Sequence, residues 1–129
     1  MRHIVVPALI SLLVLAGCQT LGDARAARGT GTTRLFNATE DQVWSVLPKA
    51  VNEVDLSIAG THRADGYLLA ERGVTMFSWG EKVAVFVEPQ GLTQTEVEVV
   101  SMRAVAVNIT AAEFGHKLLD MIGRMLFGD

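Results

Sequence analysis

The chain has 129 residues, half of them hydrophobic, and carries 11 Lys and Arg against 14 Asp and Glu, which gives a formal charge of −3. This length supports one small domain with a single core and not two. The acidic balance argues against a nucleic-acid binder, because such a protein presents clustered cationic groups to phosphate.

The first 17 residues have the pattern of a secretory signal. Met1-Arg2-His3 provides a short cationic start, and an uncharged run rich in Val, Leu and Ile follows from Ile4 to Leu15. This run is about a dozen residues long, whereas a membrane-spanning helix needs about 20 apolar residues. Pro7 weakens it further as a span. We therefore expect residues 1–17 to be a signal peptide that is removed.

The signal ends in Leu15-Ala16-Gly17-Cys18, which contains the one cysteine of the sequence. This tetrapeptide resembles the lipobox of bacterial lipoproteins. The resemblance implies that diacylglycerol is attached to the Cys18 sulfur, that the chain is cleaved between Gly17 and Cys18, and that the freed amine is N-acylated. Two or more acyl chains make a stable anchor, at about 0.8 kcal/mol per buried CH₂. The alternative is a conventional signal peptide that leaves Cys18 as a free thiol.

Gln19 follows the cysteine. In lipoproteins of enterobacterial type an aspartate at this position retains the protein in the inner membrane. The resemblance therefore implies an outer-membrane lipoprotein that faces the periplasm. Because the remaining domain is acidic, it gains no electrostatic attraction to an anionic membrane surface. We expect membrane lipid to be contacted through the acylated Cys18.

Residues 18–33 are short of large apolar side chains and rich in Gly, Ala, Arg and Thr, which is typical of a linker. Gly29-Thr30-Gly31-Thr32 lacks the lysine and the preceding strand of a phosphate-binding loop. We predict that residues 18–33, which begin with the lipidated cysteine, form a flexible tether. Residues 34–129 are predicted to form a single periplasmic domain.

The first elements of this domain are a strand and a helix. Thr32 to Phe36 is predicted to form a strand. Thr39 and Gln42 have the spacing of a capping box. Apolar residues at helical spacing then predict a helix from about Glu40 to Val54, with Pro48 inside it.

Four strands are predicted after this helix, the first two of them joined as a hairpin by Asp65-Gly66. Their predicted extents are Leu56–Ala59, Tyr67–Ala70, Lys82–Glu88 and Thr95–Val99. In the last strand Glu96 and Glu98 alternate with valines, which predicts a sheet with one solvated face and one buried face.

A second capping box, Thr110 to Glu113, begins the closing helix. Its apolar stripe consists of Phe114, Leu118, Met121, Ile122 and Met125, and Gly128 ends it. The order β-α-β-β-β-β-α predicts an α+β fold, a two-layer sandwich of an antiparallel sheet with two helices on one face.

The lipobox, the tether and three segments of the domain are together similar to small envelope lipoproteins with a BamC-like domain. The segments are Thr39-Glu40-Asp41-Gln42-Val43-Trp44, Asp65-Gly66-Tyr67-Leu68-Leu69-Ala70 and Thr95-Glu96-Val97-Glu98-Val99. The best-understood member of that family is an accessory of the outer-membrane β-barrel assembly machine. The resemblance implies a non-catalytic module that contacts an envelope protein complex.

The sequence lacks several common patterns of catalytic and metal sites. No serine lies in a Gly-x-Ser-x-Gly elbow. Glu96 and Glu98, the candidate pair for glycoside chemistry, are expected on an exposed strand face. Glu113, His116 and Asp120 share a helix face, which indicates a solvated surface with local charge pairs more than a metal site. We therefore expect no enzyme, no metal and no cofactor beyond the acyl groups on Cys18.

Met76, Phe77 and Trp79 are the remaining candidates for a partner or ligand contact. The leading hypothesis is a lipid-anchored envelope lipoprotein that binds or scaffolds another envelope component. The alternative is a periplasmic carrier of a small apolar ligand held between the sheet and the helices. A cavity of several hundred Å³ in that layer would favour the carrier.

Overall fold

The computed structural model describes residues 26–72, 81–101 and 111–128. The elements are strand β1 (Thr32–Phe36), helix α1 (Glu40–Glu53), strands β2 (Ser57–His62), β3 (Tyr67–Arg72), β4 (Glu81–Pro89) and β5 (Thr95–Ser101), and helix α2 (Ala111–Phe127). A short 3₁₀ turn, Arg63–Asp65, joins β2 to β3. The predicted β-α-β-β-β-β-α order is confirmed.

The five strands form one antiparallel sheet in the spatial order β1-β5-β4-β3-β2. Strands β1 and β2 are therefore its two edges. Helices α1 and α2 pack against each other and against the same side of the sheet. This arrangement confirms the predicted α+β sandwich with both helices on one face.

The main core lies between the sheet and the two helices. The apolar stripes of α1 and α2 meet the inward side chains of the four strands β1, β3, β4 and β5 there. Leu47 of α1 and Leu118 and Ile122 of α2 have no exposed surface. Full burial of one such side chain contributes about 1.5–3 kcal/mol to folding. The helical periodicity thus identified the faces that are buried, and Trp44 of α1 is also part of this core.

Of the three helix ends that the sequence marks, the start of α1 and the end of α2 lie within the described residues, whereas Thr110, which opens the second capping box, lies outside them. The Thr39 hydroxyl accepts a hydrogen bond from the Gln42 backbone N–H at 3.2 Å, and the Gln42 side-chain oxygen accepts one from the Thr39 N–H at 2.8 Å. This is the predicted capping box. At the other end of the domain Gly128, with φ +78°, follows the last residue of α2. Its N–H donates to the Arg124 carbonyl at 2.7 Å.

We expect the Thr39→Ala substitution to lower the free energy of unfolding by about 1 kcal/mol, because the N–H of Gln42 loses its acceptor. Urea denaturation followed by circular dichroism measures the change. Thr93→Ala is the matched control, since Thr93 lies in the exposed β4–β5 turn. Equal midpoints for the two variants would contradict the role given to the capping box.

The sheet face away from the helices is not the solvated surface that the sequence predicts. It carries a second apolar cluster of side chains that are at most 7% exposed, namely Tyr67, Leu69, Ala84, Phe86 and Val100. Glu98 belongs to this face and is 6% exposed. The prediction that Glu98 is exposed is therefore wrong. The physical reason is that residues 27–31 lie over this part of the sheet.

Among the helices within the described ranges, none is long and apolar enough to cross a bilayer.

Candidate functional site

The site residues singled out in the sequence lie outside the described residues. This applies to Gly17 and Cys18, the expected cleavage and lipidation site, and to Met76, Phe77 and Trp79, the expected partner contact. Two surface features of the described residues remain as candidates. One is the segment that covers the helix-free face, and the other is a groove at the opposite face of the sheet, beside β1.

Residues 27–31, here called the strap, cross the helix-free face of the sheet. Ala27 packs against the second apolar cluster. The Arg28 guanidinium lies 5.0 Å from the centre of the Phe86 ring, a cation–π contact with β4. Thr30 closes a tight turn through two bonds to the Ala27 carbonyl, one from its N–H at 3.1 Å and one from its hydroxyl at 2.6 Å. The strap is thus an ordered part of the domain.

Glu98 of β5 holds the strap to the sheet. One carboxylate oxygen accepts the Gly29 N–H at 2.9 Å, and the other accepts the Gly31 N–H at 2.8 Å. Hydrogen bonds to an ionised acceptor are stronger than those between neutral groups. Because both oxygens are occupied, Glu98 serves as a structural acceptor. This use of Glu98 differs from a catalytic pairing with Glu96.

The two glycines of the strap allow this close approach. Gly29 has φ +91°, a conformation that favours glycine. At Gly31 an added Cβ would overlap the Val99 carbonyl oxygen and lie 2.7 Å from Val100 Cγ2. A small pocket of about 150 Å³ remains under the strap. It is lined by Arg28, Gly29, Phe86, Glu88, Glu96 and Glu98.

The strap lies within residues 18–33, the stretch that the sequence predicts to be a flexible tether. Of residues 18–33, those from Ala27 to Gly31 are held on the sheet, and Thr32 and Thr33 belong to β1. The composition of this stretch suggested a linker because it offers few apolar side chains. Its attachment instead uses backbone N–H groups, which composition does not reveal.

The second feature is an open groove between edge strand β1 and helix α2, here called the β1–α2 groove. It has a volume of about 390 Å³. Its lining residues are Arg34, Phe36, Asp120, Gly123, Arg124 and Phe127. Gly123 forms part of the floor, because a Cβ placed there would lie at an ordinary 3.5 Å from the Phe36 ring. Phe127, at the end of α2, is 53% exposed.

One ion pair crosses this groove. Arg34 Nη1 of β1 donates to Asp120 Oδ1 of α2 at 2.7 Å. This hydrogen bond is the main reason why the pKa of Asp120 lies below its ordinary value, and the charge of Arg124 acts in the same direction. Asp120 is thus used in a charge pair, but its partner is Arg34 of β1 and not a neighbour on its own helix face. Within the described ranges, no three His, Cys, Asp or Glu side chains are grouped as a metal site.

We expect the Arg34–Asp120 pair to give a small pH dependence of stability. Because the pKa of Asp120 is lowered by folding, its contribution is present above the pKa of the unfolded chain and is lost as the pH falls through the folded pKa. Asp120→Asn should therefore be slightly less stable than the parent at pH 7 and equally stable in strong acid. Thermal unfolding at several pH values measures this. A difference that persists in acid would contradict the assignment.

Sequence reasoning missed both features because each joins distant parts of the chain. Comparison with known proteins adds no assignment: no protein-family model matches the chain, and no curated protein matches its sequence.

Proposed function

We propose that this protein is an outer-membrane lipoprotein, acylated on Cys18, whose α+β domain binds another envelope component without catalysis. The observation that carries the proposal is the sequence Leu15-Ala16-Gly17-Cys18 after a short cationic and apolar run. The pattern resembles the lipobox of bacterial lipoproteins, and the order of elements in the domain is compatible with the resemblance to BamC-like envelope proteins.

The described geometry supports a binding role in two ways. The strap brings the N-terminal side of the domain onto the helix-free face, over β4. The β1–α2 groove lies on the helix side of the sheet and at its β1 edge. A domain attached to a membrane through its N-terminus would thus keep this groove accessible. The groove combines apolar and charged side chains, as protein-binding surfaces commonly do.

The carrier hypothesis is supported less by the described residues. It requires a cavity in the layer between the sheet and the helices. The described side chains of that layer include many that are fully buried in one continuous core. Two pockets are lined by described residues elsewhere, one at the β1 edge and one under the strap. We therefore retain the binding module as the proposal.

Metabolic labelling with a palmitate analogue tests the anchor. Cells that express the full chain should incorporate the label into it, and Cys18→Ser should abolish incorporation because the sulfur nucleophile is gone. Gln19→Ser is the matched control, since it changes the neighbouring residue and leaves the cysteine in place. Label that survives Cys18→Ser would contradict the proposal, and so would an unlabelled parent chain.

The expected location is tested by Gln19→Asp. In a host with enterobacterial sorting, this variant should still be labelled and should move from the outer-membrane fraction to the inner-membrane fraction. Sucrose-gradient separation of the two membranes measures the distribution. A parent chain that already sediments with the inner membrane would contradict the outer-membrane assignment.

A further inference from the structure

We propose that strand β1 binds an extended, acidic segment of a partner protein, which adds to the sheet as a sixth strand and places an apolar side chain in the β1–α2 groove. This inference rests on the proposed function, because it names the surface and the chemistry of the partner that the binding module would recognise. In this mode of recognition main-chain hydrogen bonds supply affinity and side-chain pockets supply specificity.

The two edges of the sheet differ in their ability to accept a strand. Strand β1 pairs with β5 over five consecutive residues without a break in register. Within the described residues β5 is its one neighbour, so the outer side of β1 is unpaired there. Strand β2 has an irregularity between Ile58 and Gly60. Such bulges commonly protect edge strands from further pairing. The geometry therefore favours β1.

Exposed apolar side chains flank β1 on both faces of the sheet. Leu35, on the helix-free face, is 51% exposed. Phe127 is 53% exposed and borders the groove on the helix face, where Phe36 forms a buried wall. A strand added beside β1 would cover Leu35 with one set of alternate side chains and fill the groove with the other set. Removal of this apolar surface from water favours binding.

The charges of the groove residues favour an acidic partner segment. The groove has two guanidinium groups, Arg34 and Arg124, and one carboxylate, Asp120. Arg34 is paired with Asp120, whereas Arg124 is exposed on the last turn of α2 and has no ion pair within the described residues. The groove is thus locally cationic on a chain whose formal charge is −3. A glutamate or aspartate of the partner would complement Arg124.

The strap does not cover this edge. From Gly31 toward the N-terminus the described chain runs away from β1, first over Glu98 of β5 and then over Phe86 of β4. The described part of the N-terminal chain thus lies over the interior strands on the helix-free face, whereas the groove lies on the helix face.

Binding of three fluorescent peptides to the full chain in detergent micelles tests the proposal. The first peptide alternates valine or leucine with glutamate, the second has lysine in place of glutamate, and the third is the first with methylated backbone nitrogens. The first should bind at least about tenfold more tightly than the third, because methylation removes the main-chain donors. The first should also bind more tightly than the second, and added salt should reduce that difference.

Two variants locate the site. Gly123→Leu fills the groove from its floor, and Arg124→Glu reverses the exposed charge. Each should weaken binding of the acidic peptide by at least about tenfold, the loss expected from a blocked side-chain pocket or a reversed ion pair. Leu92→Ala is the control, because Leu92 is a 93% exposed apolar residue in the β4–β5 turn. Circular dichroism verifies that Gly123→Leu remains folded, and Arg124→Glu gives an independent test if it does not.

Hydrogen exchange identifies the strand that is paired. The acidic peptide should slow exchange of β1 amides and leave those of β2 unchanged. The proposal is overturned if none of the peptides binds, if protection appears at β2, or if both variants bind like the parent. It is also overturned if the chain forms a concentration-dependent dimer through β1, since the occupant would then be a second copy. None of these results alters palmitate labelling at Cys18, so the anchor is judged separately.

Discussion

Replacement of Glu98 by alanine is expected to lower the free energy of unfolding by about 2–5 kcal/mol, because two backbone N–H groups lose a charged acceptor and a cavity opens beneath the strap. The strap should also detach from the sheet. Amide exchange at Gly29 and Gly31, whose N–H groups donate to Glu98, should then become fast. Denaturant unfolding and hydrogen exchange measure the two effects.

Glu96→Ala is the matched control for this prediction. Glu96 lies on the same strand and the same sheet face but is only partly buried. Its substitution should change stability by less than about 0.5 kcal/mol, the usual range for surface sites. Glu98→Gln should lie between the two, because the amide retains one acceptor oxygen. Similar losses for Glu96→Ala and Glu98→Ala would contradict the role assigned to Glu98.

Gly31→Ala is expected to be the most damaging substitution after Glu98→Ala. The new methyl group would overlap the Val99 carbonyl oxygen and crowd Val100, so either the strap or β5 must move. Overpacking of this kind costs about 1–3 kcal/mol and occasionally more. Gly123→Ala is the control, because its methyl group has ordinary space and lies in a helix. That change should instead stabilise the protein by up to about 1 kcal/mol.

The double substitution Glu98→Ala with Gly31→Ala tests whether both residues act through the strap. Once the strap has been released, the crowding at Gly31 should matter less. The combined loss should therefore be smaller than the sum of the two single losses. If the two losses in free energy of unfolding were strictly additive, Glu98 and Gly31 would act independently. That result would contradict the view that the strap is attached to the sheet as a single unit.

The fold was predictable because its signals are local. The Thr39 and Gln42 capping box, the helical stripe ending before Gly128 and the alternation of glutamate and valine in β5 each depend on residues a few positions apart. These patterns determine which side of an element is apolar, and two amphipathic helices with a sheet have few ways to bury those sides. The order of elements follows from the same signals.

The strap was not predictable in the same way. Alternation in β5 assigns Glu98 correctly to the face opposite Val97 and Val99, but it cannot show what covers that face. The partners of Glu98 lie 67 and 69 residues earlier in the chain. The two glycines at positions 29 and 31 were one sequence signal. Glycine is favoured where the backbone lies very close to another group or has a positive φ. No local pattern connects these two glycines to a carboxylate in the last strand.

The β1–α2 groove was even less predictable than the strap, because it exists only in the tertiary structure. Arg34 and Asp120, which pair across it, are 86 positions apart. That β1 is an edge strand follows from its pairing with β5, which no property of Thr32–Phe36 predicts. The sequence therefore predicts a contact surface only in the aromatic segment with Met76, Phe77 and Trp79, and the structure adds a second candidate.

The strap also limits the distance between the domain and its proposed anchor. Arg28, which contacts β4, is ten residues after Cys18. Ten residues span at most about 36 Å even when fully extended. In the proposed lipoprotein the helix-free face would thus stay near the membrane that holds Cys18. The connection between the lipid anchor and the domain would be shorter than the tether of residues 18–33 that the sequence predicts.

Mass spectrometry of the N-terminal peptide of the protein purified from its membrane tests the central claim most directly. The proposal predicts a peptide that begins at Cys18 and carries the added mass of a diacylglyceryl group and one further acyl chain. A peptide that contains Cys18 with an unmodified sulfur, from a chain recovered in the soluble periplasmic fraction, would contradict it.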